Sequence, residues 1–148
     1  MKIKNKFPKA SVVIVNFNNA NYLEKCIQSL LNQSYQNIEM IIVDDKSTDN
    51  SQEIIKRYKK KATIIFNKKK TSKGSYNQIN CYYRGYLKSK GKYLFFLDSD
   101  DYFKKKKVEL LVKQFQKDEK IDLIFDLPIF KFKNREVEKK FIQKKFTF

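Results

Sequence analysis

Short runs of apolar, largely β-branched residues alternate along this chain with stretches in which apolar positions recur every three or four residues. Residues 11–15, 38–43, 62–66 and 93–97 have the length and composition of buried strands. Between the first two, Leu23, Cys26, Ile27, Leu30 and Leu31 follow the i, i+3, i+4, i+7, i+8 spacing of an amphipathic helix, which predicts one over residues 20–32 that packs on a sheet. Asn50 and Glu53 form a capping-box pattern ahead of a shorter helix carrying Ile54, Ile55 and Tyr58. Ile79, Tyr82, Tyr83, Tyr86 and Leu87 mark a third helical face, and Val108, Leu111, Val112 and Phe115 a fourth. Beyond residue 120 the chain turns strand-like again, over 121–125 and 128–132. Strands alternating with helices in this way are the pattern of βαβ crossovers, so the expected class is α/β with a mainly parallel sheet.

The chemistry gathers where the expected strands end. Five residues from Tyr93 to Leu97 run into Asp98, Ser99, Asp100 and Asp101, which places three carboxylates within four positions. Carboxylates so crowded repel one another and raise each other's pKa unless a cation is shared between them. Asp98 and Asp100 stand two apart, so both can offer oxygens to Mg²⁺ or Mn²⁺. A site of that kind usually takes phosphate as well, because Mg²⁺ is seldom caged by protein alone. The plainer role for these acids is turn formation or helix capping, with Asp101 capping a helix that begins near Phe103. The strand over 38–43 likewise stops at Asp44 and Asp45, and the first strand ends in Asn16, Phe17, Asn18 and Asn19. In an open parallel sheet ligands bind at the carboxyl ends of the strands, so these groups are expected to meet on one rim.

Composition narrows the classes. At 148 residues and 41% hydrophobic, the chain has enough apolar material for a core and is expected to form a single domain over 1–148, with 1–9 as a basic lead-in. The run Val12 to Val15 is too short for a signal-peptide core or a membrane span, which predicts a cytoplasmic protein. With no histidine and two cysteines a zinc site is not expected, and Cys26 and Cys81 are expected to be reduced core residues. The 33 basic residues against 16 acidic ones leave a net charge of +17. One reading of that charge is biased amino-acid usage, and another is attraction to an anionic membrane surface, to which Lys104–Lys107 would contribute. Lys68–Lys73 either approach a diphosphate or form an exposed loop. A basic, aromatic-rich chain also suits a nucleic-acid-binding module. Against that stand the aromatic residues on predicted buried faces and an acidic rim that repels phosphate. A phosphotransferase or receiver domain would carry its acids after the first strand, where this chain has Asn16-Phe17-Asn18.

Residues 11–18, 29–35 (Ser-Leu-Leu-Asn-Gln-Ser-Tyr), 42–49 (Ile-Val-Asp-Asp-Lys-Ser-Thr-Asp) and 91–101 together resemble the nucleotide-sugar half of family 2 glycosyltransferases, in the family's order and spacing. The resemblance implies a GT-A (Rossmann-like) fold and inverting transfer of a hexosyl or N-acetylhexosaminyl group from a nucleoside diphosphate donor, with UDP-sugar foremost. It further implies a divalent metal, Mn²⁺ or Mg²⁺, held by Asp98 and Asp100. Carried over position by position, Phe17 lies against the base and Val15 lines the same pocket through its backbone. Asp45 accepts the uracil N–H, Asp44 orients the loop, and Asp98 faces the ribose and the metal. The acceptor implied is a glycan or a lipid-linked sugar, the setting cell-surface polysaccharide biosynthesis at the inner face of the membrane, and no specific nucleic acid is expected. The chain departs from the family in two places. Tyr82 and Tyr83 stand where an Arg-Asn pair is expected before Gly85, with Asn80 a shifted candidate. The catalytic base belongs further downstream than this chain extends, so the sequence reads as a donor-binding half, truncated at its C-terminus or naturally short, or a noncatalytic remnant. Glu136 and Glu138 read as solvated charges rather than as that base.

Overall fold

The computed structural model describes residues 7–68, 74–124, 130–132, 135–137 and 145–146. They fall in two compact units, Met1–Glu109 and Leu110–Phe148. In the first unit β1 (Ala10–Asn16), β2 (Ile38–Asp44), β3 (Ala62–Phe66) and β4 (Tyr93–Asp98) form a wholly parallel sheet in the order β3-β2-β1-β4. The helices α1 (Ala20–Leu31), α2 (Ser51–Lys56) and α3 (Gly74–Tyr86) connect them. The chain steps from β1 outward to β3 and then returns across β1 to β4. Right-handed crossovers therefore put α1 and α2 on one face and α3 on the other, and they make the gap between β1 and β4 a topological switch point.

Every residue of β1 is buried, as a central strand covered on both faces requires. Val13, Val15, Ile41 and Val43 pack with Cys81 of α3, joined by Ile65, Tyr82 and Leu94. The alternate residues Val12, Ile14, Met40 and Ile42 are buried toward the other side, as are Leu23, Cys26, Ile27 and Leu30 of α1. Each fully buried aliphatic side chain contributes ~1.5–3 kcal/mol of transfer free energy. Both cysteines are free and buried.

The face of α3 that meets the sheet is not the one its apolar spacing predicts. Asn77, Cys81 and Gly85 face inward, while Ile79, Tyr83, Tyr86 and Leu87 are exposed. The reason is the closeness of approach: a Cβ on Gly85 would lie 2.2 Å from Val13 Cγ1, so the helix can rest on β1 only through small residues. Gly91 is constrained in the same way by the Ser11 backbone nitrogen, 2.5 Å from where its Cβ would stand. Phe17, Tyr22, Tyr76 and Phe96 are exposed as well, so the aromatic residues are not confined to buried stripes.

Two helix starts also differ from expectation. Asn50 makes no side-chain cap bond to α2; Asp49 accepts from Ser51 N (3.0 Å), and Glu53 turns forward to Lys56 (2.7 Å). The helix expected near Phe103 begins later, as α4 (Lys107–Lys117). Val108, Leu111 and Val112 are buried along it, as its spacing predicts. In the second unit β5 (Leu123–Ile124) pairs antiparallel with β8 (Lys145–Phe146), and β6 (Phe130–Phe132) with β7 (Arg135–Val137). Of the strand-like stretches 121–125 and 128–132, residues 121–122 form no strand and the remainder, apart from β5 and β6, lies outside the described residues, as do Glu138 and most of the basic lead-in. Among the described residues no helix is long and apolar enough to cross a membrane.

Candidate functional site

Three loops leave the carboxyl ends of β1, β2 and β4, and polar side chains lace them together. The parallel register sets Val15 opposite Asp98 and Asn16 opposite Asp44. Asn16, fully buried, donates from Nδ2 to Asp44 Oδ1 (2.8 Å) and Ser47 Oγ (3.0 Å). Asp44 also accepts from Ser47 N (3.0 Å), Ser47 Oγ (2.6 Å) and Gln52 Nε2 (3.3 Å), so both of its oxygens are engaged within the chain. Its role in this geometry is to shape the loop. Asn18 and Lys46 hold left-handed φ values of 51° and 58° at the two turns, a region open to Asn and costly for Lys. Asn18 Oδ1 accepts from Thr48 N (2.7 Å), and Asn19 Nδ2 donates to buried Ser99 Oγ (2.9 Å), which ties the β1 loop to its neighbours on both sides.

Asp45 is buried beside this lacing. Its Oδ1 accepts from Asn67 Nδ2 (3.0 Å), and Asn67 in turn accepts from the Arg84 guanidinium. Thus a cation reaches the carboxylate through one amide, which offsets part of the cost of burying it. Cys81 lies against the same group: burial, then the Asp45 charge, pushes its thiol up to about 12. Val15 is buried at the rim, and Phe17 is half exposed above it.

Across the switch point lie the acids of the β4 loop. Asp98 is half-buried, and its Oδ1 accepts from Tyr82 OH (2.5 Å) and Gln78 Nε2 (2.9 Å), two α3 residues one turn apart. Tyr82 is held by an edge-on contact with Phe96, ring centroids 4.8 Å apart. Its phenol pKa is raised by burial and by the bond to Asp98, so it remains a donor. Asp100 and Asp101 are exposed, and no lysine or arginine among the described residues forms an ion pair with any of the three. The negative potential registers on their surroundings. Asp101 is raised by partial burial, then by Asp100 and Asp98, while burial followed by the three carboxylates pushes the Cys26 thiol up to about 12. Among the described residues no group of three or more His, Cys, Asp or Glu side chains is arranged to hold a metal by itself. Two carboxylates with uncompensated charge do fit a hard cation that takes its remaining ligands from a diphosphate and water.

The loop beyond the acids is fastened by residues 29–34. Ser29 Oγ accepts from Phe103 N (3.1 Å), Gln33 Nε2 donates to the Lys104 carbonyl (3.0 Å), and Val108 N donates to Gln33 Oε1 (3.1 Å). Gln33, not Asp101, supplies the acceptor at the start of α4. Lys104, Lys105 and Lys106 are exposed; Lys107 is half-buried, and burial lowers its ammonium pKa. Lys68 is exposed, and Lys69–Lys73 lie outside the described residues.

The expected site residues Val15, Phe17, Asp44, Asp45, Asp98 and Asp100 thus all stand at the carboxyl edge of the sheet. Asn67, Gln78 and Arg84, which no sequence motif marks, join them, and Tyr82 does so at the position where the family pattern has an arginine. The one signal for Gln78 and Tyr82 was their i, i+4 spacing on α3. Asn80 and Tyr83, the alternatives considered there, are exposed.

A parallel sheet that reverses order beside its first strand, with acidic loops at that edge, defines a nucleotide-sugar-binding α/β domain of the GT-A kind. Residues 11–147 match glycosyl transferase family 2, and the chain belongs to that family. It is 39% identical to glycosyltransferase GlyG of Streptococcus pneumoniae serotype 4 over 106 residues, covering 72% of this chain and 35% of that protein. It is 35% identical over 132 residues to WfaP of Escherichia coli, a UDP-Glc:alpha-D-GlcNAc-diphosphoundecaprenol beta-1,3-glucosyltransferase, covering 89% of this chain and 48% of that one. The chain thus spans between about a third and a half of the length of these two relatives. In fold it is similar to S. aureus TarS in complex with UDP-GlcNAc, with a TM-score of 0.71 at 21% identity over 88% of this chain and 37% of that one. A mannosyltransferase from Pyrobaculum calidifontis in complex with GDP-Man and Mn²⁺ aligns at TM-score 0.66 and 16% identity, over 79% and 34%. Family membership classes the chain with the sugar-transferring enzymes.

Proposed function

We propose that this chain binds a UDP-sugar and a divalent metal at the rim between β1 and β4, as the donor side of an inverting hexosyl or N-acetylhexosaminyl transfer. The observation that carries the reading is the set of unneutralised carboxylates Asp98, Asp100 and Asp101 at a switch point whose other bank holds buried Asp45. In this proposal Asp45 accepts the imide N–H of uracil, a donor that a carboxylate satisfies well. Phe17 offers its ring to the base and Val15 its backbone, while Asp44 keeps the loop in shape. Asp98 and Asp100 would hold Mn²⁺ or Mg²⁺, which supplies charge stabilisation for the departing diphosphate. Tyr82 and Gln78 act as positioning residues, since they fix one Asp98 oxygen and leave the other for the ligand. In the transfer itself, an acceptor hydroxyl attacks the anomeric carbon, the bond to the diphosphate breaks, UDP leaves and the hydroxyl proton passes to a base.

One relative supports the choice of donor and acceptor. WfaP, 35% identical, is named for UDP-Glc and for a diphosphoundecaprenol-linked acceptor. The proposed acceptor is accordingly a glycan or lipid-linked hydroxyl, and the proposed setting is cell-surface polysaccharide assembly at the cytoplasmic face of the membrane.

Calorimetric titration of the chain with UDP, with and without Mn²⁺, tests the assignment. Metal-dependent binding is expected for the natural sequence, with its metal dependence abolished in Asp100→Ala. Asp45→Asn should weaken UDP roughly tenfold, the loss of a charged hydrogen-bond acceptor. UDP affinity of the natural chain that is equal with and without Mn²⁺, or Mn²⁺ dependence that persists in Asp100→Ala, would remove the metal site from the proposal. GDP binding as tightly as UDP would remove Asp45 as a uracil reader.

A further inference from the structure

Helix α3 meets the sheet through a side of small residues and carries its large apolar residues on the opposite side. The inward side is Asn77, Cys81 and Gly85 against β1 and β2. On the outward side Tyr76, Ile79, Tyr83, Tyr86 and Leu87 recur at the three- and four-residue spacing of a single stripe. These are large side chains left in solvent, with Ile79 65% and Leu87 60% exposed. The rings of Tyr83 and Tyr86 stand beside each other, centroids 6.3 Å apart, so the stripe is continuous along the second half of the helix. A contiguous apolar stripe of this kind marks a docking surface rather than scattered surface residues.

Charge says what covers it. From Asn67 to Lys92 the chain carries eight lysines and arginines and no aspartate or glutamate. Lys88, Lys90 and Lys92, just beyond the end of α3, are all exposed. Nearby Glu39 is already engaged by Ser11 Oγ (2.5 Å) and by Lys90 N (2.8 Å). A second copy of the chain would set +17 against +17, which disfavours self-association through this face. Nucleic acid would use the tyrosine rings, but Ile79 and Leu87 have no base to stack on, and a convex helix offers no groove for a strand. Tyrosines interleaved with branched aliphatics and flanked by lysines are instead the composition of an interfacial helix face, with rings at headgroup depth and cations toward lipid phosphate.

We propose that the outward face of α3 docks the protein on an anionic lipid bilayer. The inference deepens the peripheral placement proposed above, and it does not depend on donor binding. In this arrangement α3 lies along the bilayer surface. The rim at the carboxyl ends of the strands then points along the surface rather than into it, open to a donor from solution and within reach of a lipid-linked acceptor.

Co-sedimentation of the full chain with phosphatidylcholine vesicles, with and without phosphatidylglycerol, reads the proposal. Binding is expected with phosphatidylglycerol. It should fall more than about tenfold in Ile79→Ser/Tyr83→Ser/Leu87→Ser, whose positions are all exposed and whose loss of apolar area is large. A drop of at least about a hundredfold is expected in Lys88→Glu/Lys90→Glu/Lys92→Glu, because each lysine near the surface is worth about fivefold. Far-ultraviolet circular dichroism of both variants should match that of the natural chain, which shows that they are folded, and UDP affinity measured in parallel should be unchanged, which separates this proposal from the donor reading. Absence of binding to phosphatidylglycerol vesicles overturns the proposal, as does binding that is equal in the serine variant. A dimer or an oligonucleotide complex of the natural chain that the serine variant abolishes would assign the face to that partner instead, and would equally overturn it.

Discussion

Tyr82 shows how much a single hydroxyl can organise. Its O–H fixes Asp98 while its ring is braced on Phe96, so the orientation of a carboxylate at the rim rests on packing in the sheet-facing layer. Tyr82→Phe keeps the ring contact and removes the donor. The expected result is a Mn²⁺-dependent UDP affinity about fivefold to tenfold weaker, from a hydrogen bond worth ~1 kcal/mol, with little change in unfolding midpoint. An unaltered affinity would mean that Gln78 alone orients Asp98. Asp49 is a second case. Its two oxygens accept from Ala20 N (2.9 Å) and Ser51 N (3.0 Å), so one carboxylate caps the first residues of both α1 and α2. Asp49→Ala should cost about 1–2 kcal/mol in urea unfolding. Slight burial opposes the charge of Asp49, but the hydrogen bonds from Ser51 and Ala20 outweigh it and hold the carboxyl below its ordinary 3.8. A depressed folded pKa makes this contribution complete above the unfolded value, and it is lost as pH falls through the folded one. The difference in stability between the natural chain and Asp49→Ala should therefore shrink as pH drops below about 4. A constant difference down to pH 2.5, roughly a unit and a half under the reference carboxyl pKa, would show that the charge is not what caps the helices.

Among the elements, α3 does most to connect fold and site. Its sheet-facing side supplies Gln78 and Tyr82 to Asp98 and Arg84 to the Asp45 network, while its other side is the exposed stripe. Closeness to β1 is what brings these three side chains within hydrogen-bond reach of the rim. Gly85→Ala places a methyl group 2.2 Å from Val13 Cγ1, and relieving that overlap must shift the helix or the strand. Overpacking of this kind typically costs ~1–3 kcal/mol. The expected readout is a lower unfolding midpoint together with weakened metal-dependent UDP binding, whereas Ile79→Ser on the opposite side of the same helix should change neither. Loss of stability in Ile79→Ser equal to that in Gly85→Ala would mean that the outward stripe is packed. Periodicity in the sequence located α3, but it picked the wrong side, since the residues of greatest hydrophobicity were those the close packing shuts out.

For the molecule as a whole, the surplus of 17 positive charges is the dominant long-range term. Charge of one sign opposes the compact state, and the Debye length contracts from about 30 Å at 0.01 M salt to about 3 Å at 1 M. Added sodium chloride should accordingly raise the melting temperature across that range, as followed by differential scanning fluorimetry, while weakening binding to anionic vesicles. A melting temperature that falls with salt would show that local ion pairs outweigh the net repulsion.

The α/β class, the strand-helix order and the rim residues were legible in the chain itself. β-branched runs, helical spacing and polar strand ends are local signals, and Asp44, Asp45, Asp98 and Asp100 fall directly after such runs. Packing alone decided which side of α3 is buried, that Gln33 rather than Asp101 serves the start of α4, and that Asp49 rather than Asn50 caps α2. It also brought Asn67 and Arg84 to Asp45 and Tyr82 to Asp98. Those pairings join residues distant in the chain, or turn on ångström-scale distances between a helix and a sheet, and neither is written in the hydrophobic period of any one segment.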